Sequence, residues 1–192
     1  MSLRPLTATA ALVALLLAGC GQAGGFAALQ APTQKTAVVQ GKKADHPAAP
    51  ATKEAFLSAV KAKGLKLSEA DLAVIQAERT VKPSGLWAPR PAENLTAQQN
   101  LDVHQKKHGH EFRPALSTSE AYIKQGNAAG AGERGEVRFF FDTTSFQKGY
   151  QSHVVRWVPK TNDFTAFRAD GAQTTYYQSV PKAGRFIEVP VW

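Results

Sequence analysis

Between residues 104 and 110 the chain reads HQKKHGH, and an acid, Glu111, follows. Histidine titrates near neutral pH and can both accept and donate a proton. A lysine or arginine beside it stabilises charge on a phosphoryl group in transit. Together these residue types suit metal-free cleavage of RNA, whose own 2′-hydroxyl serves as the nucleophile. The same residues are open to a second chemistry. His104 and His108 stand four apart, on one face of a helix, and Glu111 and His153 could complete a zinc site. Against that, Gln105 occupies the position where an HExxH motif carries glutamate. The third possibility is no chemistry: one histidine packs against Leu101 and the others face water.

The elements that must position this cluster are legible around it. Thr96, with Gln99 spaced for a capping box, predicts a helix from Ala97 to about His108 that stops near Gly109. Ser117 and Glu120 repeat the signal and predict a further helix carrying Ala121, Tyr122 and Ile123, ended by the glycine-rich stretch GNAAGAGERG. After Gly135, the stretches EVRFFFDTT, SHVVRWVP, FTAFRAD and TTYYQSVP read as strands. KTND suits a tight turn between the second and third, and ADGA a hairpin between the third and fourth. Most of the aromatic residues lie at or beyond Phe112, so the main core belongs there. The expected fold class is α+β: N-terminal helices followed by a four-stranded antiparallel sheet.

Upstream, KEAFLSAVKAK (53–63) has helical spacing, and Ser68 with Asp71 caps a second short helix. Residues 51–95 thus form a small helical region and linker, ahead of an α+β domain at 96–192. Residues 20–50, rich in Gly, Ala, Gln, Lys and Pro, read as a flexible tether. Residues 1–19 carry Arg4 and then an apolar run too short to span a bilayer. Leu17-Ala18-Gly19-Cys20 resembles the bacterial lipobox, and Cys20 is the single cysteine of the chain. The expectation is an exported lipoprotein, anchored through lipid on Cys20 to the cell envelope. Gly21, with no acid beside the cysteine, points to the outer membrane. The formal net charge of +8 is compatible with nucleic acid, anionic lipid or an envelope polymer as partner.

From about His104 to Tyr177 the chain resembles a family of small C-terminal toxin domains of bacterial secreted proteins, ribonucleases related to the barnase, EndoU, colicin and RelE group of folds. The resemblance rests on His104, Lys107-His108-Gly109 and Glu111-Phe112, then Thr118, Glu120 and Tyr122. It continues through Arg156, Pro159, Thr161-Asn162 and Phe164 to Gly171, Thr175, Tyr176 and Tyr177. Thr174 and Gln178 stand where members often carry basic residues. The resemblance implies a metal-independent endoribonuclease without a cofactor. In it, His108 is the first general acid or base and His104 its partner. Lys107 and Arg156 hold phosphate, Thr175 donates a hydrogen bond, and Tyr176 contacts phosphate or stacks on a base. It also implies a small acidic immunity protein as partner.

Each residue has a plainer reading as well. Arg156 can be a solvated strand arginine, and Thr175 a residue of good strand propensity. Of Tyr176 and Tyr177, strand alternation buries one and turns the other out. The competing account of the whole is a non-catalytic envelope lipoprotein that binds a protein or polymer partner, because RNA of the cytoplasm is out of reach of a fixed membrane anchor.

Overall fold

The computed structural model describes residues 49–192, all within one compact unit. The expected signal segment, Cys20 and nearly all of the expected tether fall outside the described residues. Four helices come first: α1 (Lys53–Ala62), α2 (Glu69–Thr80), α3 (Ala97–His108) and α4 (Ser119–Gly130). Strand β1 (Arg138–Asp142), a short helix α5 (Thr143–Gln147) and strands β2 (Val154–Val158), β3 (Asp163–Phe167), β4 (Gln173–Gln178) and β5 (Phe186–Glu188) follow. The class is α+β as expected, but the sheet has five strands, in the order β4-β3-β2-β1-β5, all antiparallel to their neighbours.

The local signals act where the sequence placed them. Ser68 and Asp71 form a reciprocal capping box on α2, and Thr96 and Gln99 form one on α3. Such a cap contributes about 1 kcal/mol. In the β2–β3 turn Asn162 takes a φ of 56°, and in the β3–β4 turn Gly171 takes 84°.

Three expectations need correction. β5 adds a fifth strand that leaves no pattern in the sequence, because three residues are too few to display alternation and its pairing with β1 is remote. The fourth helix is capped by Thr118, which accepts the Ala121 N–H, rather than by Ser117. That helix also runs on through Gly126 and Gly130 instead of ending in a glycine loop. A Cβ on Gly130 would lie 2.2 Å from the Phe167 ring, and one on Gly126 would lie 2.1 Å from the Gln173 side chain. These glycines let α4 lie close on β3 and β4; here packing overrides low helix propensity.

The two sheet faces have different fates. Cross-strand partners share a face, so Phe139, Arg156, Thr165 and Tyr176 line one side. Helices cover it. Phe56, Val60, Leu72 and Ile75 of α1 and α2 pack with Phe141, Val154 and Ile187. Leu101, Phe112, Tyr122 and Ala129 pack with Trp87, Val158 and Tyr176. The small helical region 51–95 is therefore built onto the same sheet as the rest. The other face gathers Phe140, Val155, Trp157, Phe164, Ala166 and Phe186, with Tyr177 against them. The Phe164 and Phe186 rings are 5.4 Å apart although β2 and β1 lie between their strands. At about 4.8 Å per strand step a flat sheet would hold them much further apart, so the sheet curls around this face.

Candidate functional site at the end of α3

The capping box at Thr96 fixes the start of α3, and Asn100 ties the helix to the preceding loop by donating to the Ala88 carbonyl at 2.9 Å. One turn on, His104 is turned inward and is 9% exposed. Its ring lies 5.1 Å from Trp87 and 5.9 Å from the ring of His108. An Arg90 guanidinium nitrogen is 2.8 Å from His104 Nε2. Arginine can only donate, so Nε2 is the acceptor and the proton sits on Nδ1, which is buried without a partner. Burial, followed by the charges of Arg90, His108 and Lys107, pushes the His104 pKa down to about 4. His104 is neutral at physiological pH, and its basic nitrogen is occupied.

His108 is held differently. Its Nδ1 lies 2.6 Å from Glu111 Oε1, and Glu111 Oε2 accepts the Gln178 N–H at 3.0 Å. The ring stacks on Tyr177 with centroids 5.2 Å apart and planes at 28°. Nε2 has no partner among the described residues. Gly109 makes this arrangement possible: a Cβ there would lie 2.4 Å from the Leu116 carbonyl oxygen. The tight single turn Gly109–Glu111 that follows α3 brings Glu111 back to the Nδ1 edge of the His108 ring. A carboxylate on Nδ1 fixes the ring's orientation and favours the tautomer whose Nε2 accepts a proton. Tyr177 is a neutral phenol, its pKa pushed up to about 12 by burial against the opposing pull of Arg185.

The remaining candidates are scattered. Lys107 is exposed beside His108 and has no ion pair among the described residues. Thr175 is half-buried and shares the face of Tyr177, two residues along β4; its side chain makes no hydrogen bond among the described residues. Tyr176 is a core residue. Its ring stacks on Phe112 at 4.6 Å, and its hydroxyl donates to Asp163 and accepts from Gln125, each at 3.0 Å. Asp163 in turn binds Arg134. Arg156 is not a solvated strand residue: it is 3% exposed and donates to the carbonyls of Gly130, Glu78 and Val81. The register places Arg156 and Tyr176 on the helix-covered face, and Thr175 and Tyr177 on the other. The structure thus brings His104 and His108 together, with Thr175 on the same sheet face as the Tyr177 ring that His108 stacks on, and directs Arg156 and Tyr176 into the core behind.

Two partners escaped the sequence-based candidate set for acid–base work. Glu111 left a signal, since it lies three residues after His108. Arg90 left none, because it reaches His104 from a proline-rich loop.

The zinc alternative has no geometric support. His104 Nε2 faces a guanidinium, and His153 lies beside Glu78 and Phe146. Among the described residues no group of three or more His, Cys, Asp or Glu is placed to hold a metal ion. Among the described residues, likewise, no helix is long and apolar enough to cross a membrane. Comparison of the chain with protein-family models, with curated proteins and with solved structures gives no match.

Proposed function

We propose that this is a metal-independent RNA-cleaving domain carried on an exported, lipid-anchored chain, with His108 as its acid–base group. The observation that carries the proposal is the His108–Glu111 pair: one ring nitrogen held by a carboxylate, the other without a partner among the described residues, the ring braced on Tyr177. This is the base-and-orienter arrangement used for proton transfer in hydrolytic sites. In the proposed step His108 Nε2 takes the proton of the ribose 2′-hydroxyl. The 2′-oxygen then bonds to phosphorus as the bond to the 5′-oxygen breaks. The leaving oxygen takes a proton, and a 2′,3′-cyclic phosphate remains. With His104 held neutral by burial and by Arg90, the imidazolium of His108 is the group available to return that proton. Lys107, the neighbour of His108 in sequence, would supply charge, and Thr175 would supply a hydroxyl from the sheet face it shares with Tyr177. An acidic immunity protein would fit such an activity.

One observation favours the second reading, a non-catalytic envelope domain that binds a protein or polymer. Arg156 and Tyr176, which the resemblance assigns to phosphate, are spent inside the core. A single experiment separates the two. The full chain in mild detergent is incubated with structured RNA in chelator, beside His108→Ala and Glu111→Gln. The ribonuclease reading expects cleavage to 2′,3′-cyclic ends, abolished in His108→Ala and reduced in Glu111→Gln. No cleavage by the folded wild type leaves the binding reading.

A further inference from the structure

A cleft of about 900 Å³ opens between the end of α2, the loop 81–85 and α4, on the helix-covered side of the sheet. Its size is that of a small-molecule site. Four cationic side chains line it, Arg79, Lys82, Lys124 and Arg156, against two carboxylates, Glu120 and Glu133. None of these forms an ion pair with another among the described residues. Arg79 and Arg156 share one wall. Their guanidinium carbons lie 4.8 and 5.6 Å from the centre of the Phe139 ring. Both keep a buried Nε without a hydrogen-bond partner. Arg156 spends its other nitrogens on carbonyl oxygens, which satisfy hydrogen bonds but do not cancel charge. The buried carboxylate Glu78 accepts the N–H groups of His153 and Val154 and offsets part of the Arg156 charge, while Arg79 opposes it. Two like charges on one ring, one of them almost wholly buried, leave the cleft with a net positive potential.

We propose that this cleft binds a small organic anion: a phosphate or carboxylate that meets Arg79 and Lys82, on an apolar or ring-bearing body that lies along Ile123 and Phe139. The apolar part of the lining favours a body over a bare ion. Charge-assisted contacts to a guanidinium, and stacking on the same aromatic wall, supply the recognition. The site is separate from His108, and the proposal does not depend on catalysis there.

The test is titration calorimetry on the full chain in zwitterionic nanodiscs. The probes are adenosine 5′-monophosphate, benzoate and inorganic phosphate. Adenosine 5′-monophosphate or benzoate should bind at one site and inorganic phosphate at least about tenfold more weakly, the worth of roughly 1.4 kcal/mol of body contact. Which of the two organic anions binds tells phosphate from carboxylate. Arg79→Gln and Lys82→Gln should each weaken binding about tenfold. Lys148→Gln, which removes an exposed charge elsewhere, should not change it. Lys82 is exposed, so its replacement leaves the fold intact and keeps the test valid if Arg79→Gln unfolds. No binding of either organic anion overturns the proposal, as does a loss in Lys82→Gln no larger than in Lys148→Gln.

Discussion

At the scale of single residues, the two adjacent histidines of α3 show how environment divides identical side chains. His104 is buried and faces a guanidinium; His108 is partly exposed and faces a carboxylate. A second buried pair of environments sets the pH dependence of stability. Glu78 is 1% exposed, and burial raises its pKa to about 7, against the two backbone N–H groups it accepts. Between 4.5 and about 7 the folded state holds a proton on Glu78 that the unfolded state has lost. Stability from this group is complete below 4.5 and declines as pH rises through about 7. His104 acts in the opposite sense. Its folded pKa of about 4 lies below the ordinary 6.5, so acidification through that range destabilises the fold. The two slopes oppose each other between 4.5 and 6.5. Glu78→Gln keeps an oxygen for the His153 and Val154 N–H groups while removing the ionisation. Its thermal unfolding should fall more steeply on acidification below pH 6.5 than that of the wild type, and the variant should gain up to about 3 kcal/mol above pH 7. Thermal melts of both proteins from pH 4 to pH 8 check this. Arg156→Met tests the core role of that arginine. It strands the carbonyls of Gly130, Glu78 and Val81, and denaturant titration should show a loss of about 3 kcal/mol or more.

At the scale of elements, α4 is decided by contact rather than propensity. An alanine at Gly130 would gain about 1 kcal/mol of helix propensity. Its Cβ would also lie 2.2 Å from the ring of Phe167, which is 0% exposed and has nowhere to go. Overpacking of this kind costs roughly 1–3 kcal/mol, so Gly130→Ala should destabilise on balance. Urea denaturation should show a lower midpoint with an unchanged slope. The same logic explains why a glycine-rich stretch resembles a loop in sequence yet folds as helix. Composition reports the absence of a side chain but not the neighbour that requires it. The short helix α5 is similar. Asp142 caps it through the Thr144 and Ser145 N–H groups and is held there by Arg185, 43 residues away.

Across the whole molecule, α1 and α2 complete the core rather than decorate it. Phe56 is 0% exposed and meets Phe141 edge-on at 5.9 Å and Trp192 at 5.2 Å, so one side chain joins the first helix, the first strand and the chain's last residue. Phe56→Ala should cost about 3–5 kcal/mol, read as a shift of the global denaturation midpoint without a separate early transition. The loop before α3 has a similar reach. Ala88 donates to the Gln173 carbonyl, and Gln173 donates to that of Leu86, so the loop shields part of the exposed edge of β4. It is this docking that delivers Arg90 to His104.

Features that depend on near neighbours along the chain are written in the residue order. Capping residues fixed the starts of α2 and α3, Asn162 and Gly171 fixed the two hairpin turns, and alternation through Thr175, Tyr176 and Tyr177 required one tyrosine in and one out. Tertiary structure alone decided what depends on residues far apart in the chain. It chose Tyr176 for the core, added β5 to β1, and carried α4 across its glycines. It set Arg90 on His104 and closed the Arg156 guanidinium inside a ring of carbonyls. The physical reason is common to all of these. A cap or a turn is satisfied by atoms three or four residues away, which spacing displays. A charge, a proton or a close approach is governed by whichever partner the packed core brings to it, and that partner leaves no mark in the local pattern.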